Sequence, residues 1–545
     1  MGPRQQYEVT TYHSARGIPI GEMLKPAIGS ERSEYDMQTI CEMLKSTARM
    51  YPDKTAVIFL GQEYSYAELI EKIDSLAQGL AAQGIKKGDW VMELIPNGLD
   101  LILTHFAVIQ LGAIVVPLNV MYRSHEINYI GKTTGAKAIV AETDLWKASA
   151  EEIRRELAEL KTVILIGKEM EGAISYQSLL GYGSKFSSSE DVSFDDIASV
   201  IFTSGTTGRP KGATQSHRSI LSNVYGCIDK NKFSKEDRFL CALPLFNNFA
   251  LNVVMMSCFT IGGTLIVVDR FDSNKVLEEV GRCSATYFAG TPTMFVYLLE
   301  AYDRKKHNIS TLRVTNSGGA HCPPELIKKV EETFGVIHLD GYGQTEGCGF
   351  TTLNPIVGVR RPNSVGIPLS NIWVKIVDDD DKELPSGKVG EIIEKGDAFS
   401  VHGYWNRPEV NEEVYRNGWF HSGDLGYVDD DGYLYVVDRK QDLIITGGYN
   451  IYPAEVEDVL YTNPKVALAA VIGIPDAAKG EIAKAYIVLK KGAKATEQEV
   501  IDFVRDRIAK FKAPRLVEFV DSLPQGPTGK ILKRELREKI LKASK

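Results

Sequence analysis

The most constraining feature of this 545-residue chain is the segment 203–212, which reads Thr-Ser-Gly-Thr-Thr-Gly-Arg-Pro-Lys-Gly. It follows the apolar, β-branched run 198–202, which predicts a strand that ends where the segment begins. Its glycines let backbone N–H groups approach an anion, its hydroxyl groups donate further hydrogen bonds, and Lys211 adds a positive charge. The segment therefore predicts a polyphosphate-binding loop. It is not a Walker A loop, because Pro210 stands where that motif needs its second glycine.

The length and composition of the chain limit the classes of protein to which it can belong. A chain this long exceeds the ~250–300 residues that one hydrophobic core serves, so we expect at least two domains. The 63 Lys and Arg nearly balance the 71 Asp and Glu, for a net charge of −8, so we expect no nucleic-acid partner. Seven scattered cysteines without a Cys-x-x-Cys pair indicate reduced thiols in a cytoplasmic protein. We expect no secretory signal and no transmembrane segment, and leave peripheral membrane contact and a homodimer open.

Short β-branched runs alternate with amphipathic segments from about residue 55 onward, the pattern of βαβ units around a largely parallel sheet. Strands are predicted at 55–59, 90–94, 113–117 and 138–140, and helices at 37–50, 66–83, 100–111 and 124–134. A second alternating block runs from 237 to about 338. Beyond residue 372, short strands at 374–377, 390–393 and 432–437 predict a small β-rich subdomain.

The last hundred residues have a compact α+β pattern of their own. Helices are predicted at 453–461 and 497–508, and strands at 467–474, 483–489 and 515–519. We therefore expect a multi-domain α/β fold: a large N-terminal domain of parallel-rich sheets with a small β-rich subdomain, and a small α+β C-terminal domain. The predicted boundaries are an N-terminal arm at 1–36, the large domain at 37–439 and the small domain at 440–545.

Five further groups of motif residues accompany the polyphosphate loop. They are 317–320 (SGGA), 340–347 (DGYGQTEG), 421–426 (HSGDLG), 438–442 (DRKQD) together with 447–450 (GGYN), and 527–531 (PTGKI). In this order they resemble the adenylate-forming superfamily of acyl-CoA synthetases, peptide-synthetase adenylation domains and luciferases, over roughly residues 37–537. Residues 443–453 lack the lysine pair of luciferases and plant coumarate ligases, and look more like bacterial and archaeal fatty-acid:CoA ligases.

The resemblance implies an ATP-dependent acid:CoA ligase that uses ATP, Mg²⁺, CoA and a small carboxylic acid. The acid is first converted to acyl-AMP with release of pyrophosphate, and CoA then displaces AMP. This order has a chemical reason, because hydroxide is a poor leaving group and AMP a good one. Two anions must meet, so the site needs cations and oriented donors more than a general base.

The resemblance also implies roles for single residues. Lys530 would bridge the carboxylate and the α-phosphate, Thr345 would bond the α-phosphate, and Gly448 completes the expected catalytic set. Glu346, with Thr203, would hold Mg²⁺, since this ion prefers oxygen ligands. The expected nucleotide-binding residues are Thr203, Ser204, Gly205, Thr206, Thr207, Gly208, Lys211, Gly319, Ala320, Asp340, Gly341, Tyr342, Gln344, Thr345, Asp424, Arg439 and Lys530.

The resemblance further implies that the C-terminal domain is mobile and rotates between the two steps. Gln441 occupies the hinge position, where the family commonly has Asp or Lys; a hinge needs backbone freedom rather than a particular side chain. After rotation, Gly447, Gly448 and Tyr449 are expected to line the tunnel for the pantetheine arm of CoA.

The identity of the acid is predicted from apolar segments. Asn247 stands where amino-acid-activating relatives carry Asp, so the α-ammonium of an amino acid would be buried without a counter-ion. Segments 246–260 and 285–299 contain no charged residue, which indicates an apolar tail. The expected acid-binding residues are Asn247, Asn248, Ala289, Gly318 and Gly319.

We expect medium- to long-chain fatty acids, with three alternatives. The first is an aryl or alicyclic acid. The second is an enzyme that loads a carrier protein, which the absence of an appended carrier domain disfavours. The third is a non-catalytic nucleotide sensor, which is disfavoured because Lys530 and Glu346 are both present.

Overall fold

A computed structural model of the protein describes residues 39–183, 192–203, 210–476, 478–527 and 529–543. The predicted arm, 1–36, and most of the polyphosphate loop, 204–209, lie outside these ranges. Within them, no helix combines the length and the apolar character that a membrane crossing requires.

The described strands are numbered in chain order. They are β1 Thr55–Phe59, β2 Gln62–Ser65, β3 Trp90–Leu94, β4 Ile114–Pro117, β5 Ala138–Glu142, β6 Thr162–Ile166, β7 Ile174–Ser175, β8 Ile197–Thr203, β9 Lys211–Ser216, β10 Arg238–Cys241, β11 Thr264–Val267, β12 Tyr287–Gly290, β13 Val314–Ser317, β14 Ile337–Tyr342, β15 Thr352–Leu353, β16 Ile367–Pro368, β17 Ile372–Val377, β18 Gly390–Gly396, β19 Tyr415–Arg416, β20 Trp419–Val428, β21 Leu434–Arg439, β22 Ile444–Thr446, β23 Tyr449–Ile451, β24 Val466–Asp476, β25 Gly480–Leu489 and β26 Leu516–Phe519.

The described α-helices are numbered in the same way. They are α1 Ile40–Met50, α2 Tyr66–Ala82, α3 Leu99–Gln110, α4 Ser124–Thr134, α5 Thr143–Lys147, α6 Ala150–Glu156, α7 Tyr176–Leu179, α8 His217–Asn231, α9 Ser257–Thr260, α10 Ser273–Arg282, α11 Pro292–Ala301, α12 Pro324–Phe334, α13 Pro408–Val414, α14 Pro453–Tyr461, α15 Glu497–Arg505 and α16 Lys533–Ala543. A π-helix, Phe249–Met256, runs directly into α9, and a 3-10 turn, Thr345–Gly347, follows β14.

Seven strands form the first sheet, in the order β7-β6-β5-β3-β4-β8-β9. All neighbours are parallel except β8 and β9, which form an antiparallel hairpin. Every residue of β3 and β4 is buried, as expected for parallel strands covered on both faces. The predicted βαβ organisation is confirmed here.

Nine strands form the second sheet, in the order β16-β15-β14-β13-β12-β10-β11-β1-β2. The strands from β14 to β1 are parallel, and antiparallel strands close both edges. Because β13 and β14 are parallel neighbours, the segments that follow them leave the same edge of the sheet. Two of the predicted motifs, 317–320 and 340–347, therefore lie side by side.

The third sheet is antiparallel, with the order β17-β18-β20-β19 and with β21 paired to β20. It is the predicted β-rich subdomain. The strand predicted at 432–437 begins only at Leu434, because Gly432 has a φ of +83° in a turn. The Asp429 carboxylate closes that turn by accepting the backbone N–H groups of Asp431 and Tyr433, both at 3.0 Å.

The C-terminal residues form a sheet of their own, β23-β22-β25-β24, with β26 parallel to β25. Among the described strands, none joins this sheet to the other three. It contacts the preceding part through His321 Nε2 and Asp458 Oδ1, 2.6 Å apart, and through Gln525, which donates to the Tyr297 hydroxyl at 3.2 Å. The predicted fold class is confirmed; the boundary at 439/440 stays a prediction.

Asp237 ties together the amino-terminal ends of three adjacent strands of the second sheet. Its buried carboxylate, just before β10, accepts two hydrogen bonds from Arg313, just before β13, at 2.8 and 2.7 Å. It also accepts the Thr286 hydroxyl, just before β12, at 2.7 Å. We expect Asp237→Ala to lower the free energy of unfolding by about 3 kcal/mol, because the Arg313 guanidinium loses both its bonds.

Urea unfolding followed by tryptophan fluorescence measures this effect, since all five tryptophans precede residue 440. The matched control is Asp269→Ala, which removes an exposed ion pair with Lys275 and should change stability by less than about 1 kcal/mol. Equal unfolding midpoints for the two variants would contradict the role of Asp237.

Candidate active site

The predicted polyphosphate loop lies at the tip of the β8–β9 hairpin. Thr203 ends β8 and pairs with Lys211, which begins β9, so the chain reverses between them. The predicted ligands Ser204, Gly205, Thr206, Thr207 and Gly208 lie outside the described residues. The Tyr129 hydroxyl donates to the Pro210 carbonyl at 3.1 Å and fixes the exit of the loop. The strand before the loop was predicted; β9 was missed, because its small and hydroxylated residues give a weak β pattern.

The ends of β13 and β14 form the second side of the site. The Ser317 hydroxyl donates to Asp340 Oδ1 at 2.5 Å, and burial raises the pKa of Asp340 to about 7. A Cβ added to Gly341 would lie 2.7 Å from the Phe350 ring, so this position requires glycine. Gly319 has a φ of +80° with open space around it, and Ala320 follows. The predicted adenine-binding residues are thus brought to one edge.

Three further predicted residues meet beside this edge. The Tyr342 hydroxyl donates to Asp424 Oδ2 at 2.7 Å. Asp424 on β20 pairs in register with Arg439 on β21, and the Arg439 Nε lies 3.4 Å from Asp424 Oδ1. The third sheet therefore places a carboxylate and a guanidinium beside the Tyr342 ring at the end of β14, a suitable set for a base and a ribose diol.

A network of buried amide side chains holds the segment after Tyr342. The role of these amides was not predicted from the sequence. Gln215 Nε2 donates to the Thr345 carbonyl at 2.9 Å and to Asn248 Oδ1 at 2.7 Å. Asn252 Nδ2 donates to Asn248 Oδ1 at 2.8 Å and to the Cys348 carbonyl at 3.0 Å. Asn248, predicted as an acid-binding residue, thus accepts two internal hydrogen bonds. The signal in the sequence that could have revealed this network was the presence of amide side chains within apolar runs.

Glu346 and Lys211 approach one side chain that was not predicted, Tyr404. The Tyr404 hydroxyl donates to Glu346 Oε1, and the Lys211 ammonium lies 5.2 Å from the centre of the Tyr404 ring. Gln344, the other predicted residue of this turn, donates to the fully buried Glu394. Both ionisable side chains expected at the polyphosphate, Glu346 and Lys211, therefore contact Tyr404 in the loop between β18 and β19.

Two aromatic rings form an apolar wall next to Gly318. The rings of Phe249 and Phe350 meet edge to face with their centres 5.1 Å apart. A Cβ added to Gly318 would lie 2.9 Å from the Phe350 ring and 3.3 Å from the Phe249 ring. Ala289 is buried on β12, and the Asn247 side chain accepts the backbone N–H of Phe249 at 2.9 Å.

Lys530 reaches the site from the C-terminal domain. The turn before it packs on α11, since a Cβ added to Gly529 would lie 3.2 Å from Thr291 Oγ1. Burial, and then the nearby positive charge of Arg439, lower the pKa of Lys530 to about 8, while Asp424 acts in the opposite direction. The charges of Arg439 and Asp424 thus both act on the Lys530 ammonium.

The residues expected at the second step are not brought to this group. Gly447 and Gly448 have open space around them, and the Tyr449 side chain is 60% exposed at the start of β23. Gln441 is exposed between β21 and β22, next to Asp442, which accepts a hydrogen bond from Arg537 at 2.7 Å. Lys530 and Gly448 both belong to the predicted C-terminal domain. In this arrangement Lys530 faces the site and Gly448 does not.

Comparison with known proteins places the chain in a family. The model of the AMP-binding enzyme family matches residues 44–405, and the model of the AMP-binding enzyme C-terminal domain matches residues 455–530. The chain belongs to the adenylate-forming superfamily of AMP-binding enzymes.

Relatives within this superfamily cover nearly the whole chain. A long-chain-fatty-acid–CoA ligase from Bacillus subtilis is 33% identical, with 92% of this chain and 94% of the relative covered. A feruloyl-CoA synthase from an Amycolatopsis species is 37% identical, with 90% and 97% covered. The crystal structure of the anthranilate CoA ligase AuaEII with anthranoyl-AMP superposes with a TM-score of 0.89 at 27% identity, covering 93% and 98%. The predicted family is confirmed, and the relatives differ in their acids.

The donor set of this AMP-binding enzyme fits ATP with Mg²⁺. Among the described residues, no three His, Cys, Asp or Glu side chains converge as a metal cage. A single carboxylate, Glu346, suits Mg²⁺, which is usually bound by one or two carboxylates together with substrate phosphates. The open space at Gly319 leaves backbone that a flat base can approach, and Lys211 offers a positive charge suited to phosphate.

The lowered pKa of Lys530 predicts a pH limit on adenylate formation. In the role expected for Lys530, the ammonium form is needed between two anions, so kcat/KM for ATP should fall about tenfold per pH unit once the pH exceeds about 8. Bound phosphate favours the ammonium, so kcat alone should fall only at higher pH. Pyrophosphate exchange between pH 6 and 10 measures both, and Lys530→Arg should abolish the alkaline fall. A wild-type profile that stays flat to pH 10 would contradict this role.

Proposed function

We propose that the protein is an ATP-dependent carboxylic acid:CoA ligase that works through an acyl-adenylate. A carboxylate oxygen attacks the α-phosphorus of ATP, the acyl–phosphate bond forms, and pyrophosphate leaves. The CoA sulfur then attacks the acyl carbonyl, AMP leaves, and the thiol proton passes to solvent. The observation that carries the proposal is the meeting of Tyr342, Asp424 and Arg439, with the buried Lys530 under the influence of the charges of Arg439 and Asp424.

Each side chain has a role in the first step. Lys530 binds the carboxylate and the α-phosphate together, and the Thr345 hydroxyl holds the α-phosphate. Asp424 accepts the ribose hydroxyl groups. Glu346 holds Mg²⁺, which neutralises the charge of the polyphosphate when it is bound. The loop 203–212 binds the polyphosphate through backbone N–H groups, hydroxyls and Lys211.

The second step requires a new arrangement of the C-terminal domain. Rotation at Gln441 removes Lys530 and brings Gly447, Gly448 and Tyr449 to the acyl-adenylate. Two glycines with positive φ on the β22–β23 turn leave room for the narrow pantetheine arm. Tyr449 supports this assignment, because its ring packs on Phe511 with centres 4.9 Å apart and still leaves 60% of the residue exposed to cover a second ligand.

For the acid, we favour medium- to long-chain fatty acids. The wall beside Gly318 consists of the apolar rings of Phe249 and Phe350, and the nearby Asn247 has no charge to pair with an α-ammonium. Similarity to the fatty-acid ligase of Bacillus subtilis supports this choice. An aryl acid is the second candidate, because edge-to-face rings also suit a flat substrate and the feruloyl-CoA synthase is 37% identical.

The role of Lys530 predicts a split between the two half-reactions. Lys530→Ala should lower acyl-adenylate formation by about 10²–10³, since a charge contact of the transition state is lost. Preformed acyl-AMP should still react with CoA at the wild-type rate. Pyrophosphate exchange and thioester formation from added acyl-AMP measure the two steps separately. Lys533→Ala serves as a neighbouring-lysine control, because Lys533 pairs with Glu457 at 2.7 Å inside the C-terminal domain. Equal loss of both half-reactions in folded Lys530→Ala would contradict the assignment.

The apolar wall predicts the dependence on acyl length. Each buried methylene contributes about 0.8 kcal/mol, so two added carbons should raise kcat/KM by about an order of magnitude until the pocket is filled. Gly318→Ala should crowd Phe249 and Phe350 and shorten the plateau, with an unchanged KM for ATP. An AMP-release assay over C2–C18 acids, benzoate and ferulate measures this. Higher kcat/KM for ferulate than for every fatty acid would favour the aryl alternative, and preference for malonate would exclude both.

A further inference from the structure

The Tyr404 side chain contacts two opposite charges at the polyphosphate hairpin. Its hydroxyl donates to Glu346 Oε1, and its ring lies under the Lys211 ammonium, 5.2 Å from ring centre to nitrogen. A cation within about 6 Å of the face of an aromatic ring is attracted to it. The buried Tyr404 therefore hydrogen-bonds the Glu346 carboxylate through its hydroxyl and attracts the Lys211 ammonium through the face of its ring.

The backbone around Tyr404 is fixed independently of any ligand. The Trp405 N–H donates to the Gly212 carbonyl at 2.8 Å, and the Thr214 N–H donates to the Gly403 carbonyl at 3.1 Å. These bonds add the segment to β9 beside the polyphosphate loop. Asn411 also bonds both the backbone N–H and the carbonyl of Tyr404, at 2.8 and 3.0 Å. The ring position is thus set by the protein itself.

Because both side chains contact Tyr404, Lys211 and Glu346 stay apart from each other. Both side chains reach the same ring, yet no salt bridge joins these two described residues. In a partly buried site, a lysine and a glutamate without a spacer attract each other strongly. A direct pair would remove Lys211 from the phosphate and Glu346 from the metal, and it would have to break before either ligand could bind.

We propose that Tyr404 is a positioning residue that keeps Lys211 and Glu346 apart, so that each stays available for MgATP. This rests on the proposed function, in which Lys211 contacts phosphate and Glu346 holds Mg²⁺. The hydroxyl also orients the Glu346 carboxylate by occupying one of its oxygens. The same residue therefore prepares both halves of the polyphosphate site before ATP arrives.

The decisive experiment is a double-mutant cycle on ATP binding, measured by calorimetry without acid, so that no reaction occurs. In EDTA, Tyr404→Leu should weaken ATP binding about tenfold, because Lys211 then pairs with Glu346. Glu346→Gln removes that partner, so Tyr404→Leu/Glu346→Gln should bind metal-free ATP within about twofold of Glu346→Gln alone. Equal weakening by Tyr404→Leu in both backgrounds would show a merely structural role and overturn the proposal.

A second variant tests the hydroxyl without opening a cavity. Tyr404→Phe keeps the ring under Lys211, so its affinity for metal-free ATP should be unchanged, while its Kd for MgATP should rise about fivefold. The control is Tyr435→Phe, which removes a hydroxyl that donates to Asp429 at 3.2 Å in the β-rich subdomain. The affinities of this control for metal-free ATP and for MgATP should both be unchanged. An unchanged MgATP affinity in Tyr404→Phe would overturn the proposal. Wild-type protein that binds no ATP would instead overturn the proposed function, and this role with it.

Discussion

The segment that joins β14 to β15 depends on buried amides for its position. Residues 343–350 include the 3-10 turn Thr345–Gly347 and make no strand pairing, and a buried carbonyl without a partner costs about 1–3 kcal/mol. Gln215, Asn252 and Asn223 supply donors to four carbonyls of this segment. They come from β9, the π-helix and α8. The polyphosphate hairpin, the apolar wall and a core helix are therefore joined to the segment that carries Thr345 and Glu346.

The β-rich subdomain and the loop beside it act on this segment from the opposite side. Asp424 accepts the Tyr342 hydroxyl, Glu394 accepts the Gln344 amide, and Tyr404 donates to Glu346. Alternate residues of one short segment are thereby fixed by partners distant in sequence. A site built in this way is preorganised, because its donors need little rearrangement when the substrate charges arrive.

Much of this arrangement could be predicted, and the exceptions have physical reasons. Strands such as β3 and β4 were found because parallel strands buried on both faces give nearly continuous apolar runs, interrupted in β3 only by Glu93. Asp340, Asp424 and Lys530 were predicted as site residues because their motifs occur in the order known for a family, and their roles stay predictions. The strand β9, the π-helix at Phe249 and the role of Tyr404 were missed. The strand β9 pairs with its sequence neighbour β8, but its small and hydroxylated residues give a weak β pattern. The π-helix depends on backbone geometry that no local pattern encodes, and the contacts of Tyr404 depend on Glu346 and Lys211, more than fifty residues away.

The effect of the Arg439 charge on Lys530 gives the domain arrangement an electrostatic dependence on the substrate. Without an anion, burial and then the positive charge of Arg439 lower the pKa of Lys530, so the ammonium form is unfavourable there. In the proposed reaction, ATP and a carboxylate bring several negative charges, which favour the arrangement with Lys530 in the site. Once pyrophosphate has left, acyl-AMP retains a single negative charge. The attraction that held Lys530 is then weaker, while the repulsion from Arg439 remains, so the chemistry of the first step itself favours release of the C-terminal domain for the second.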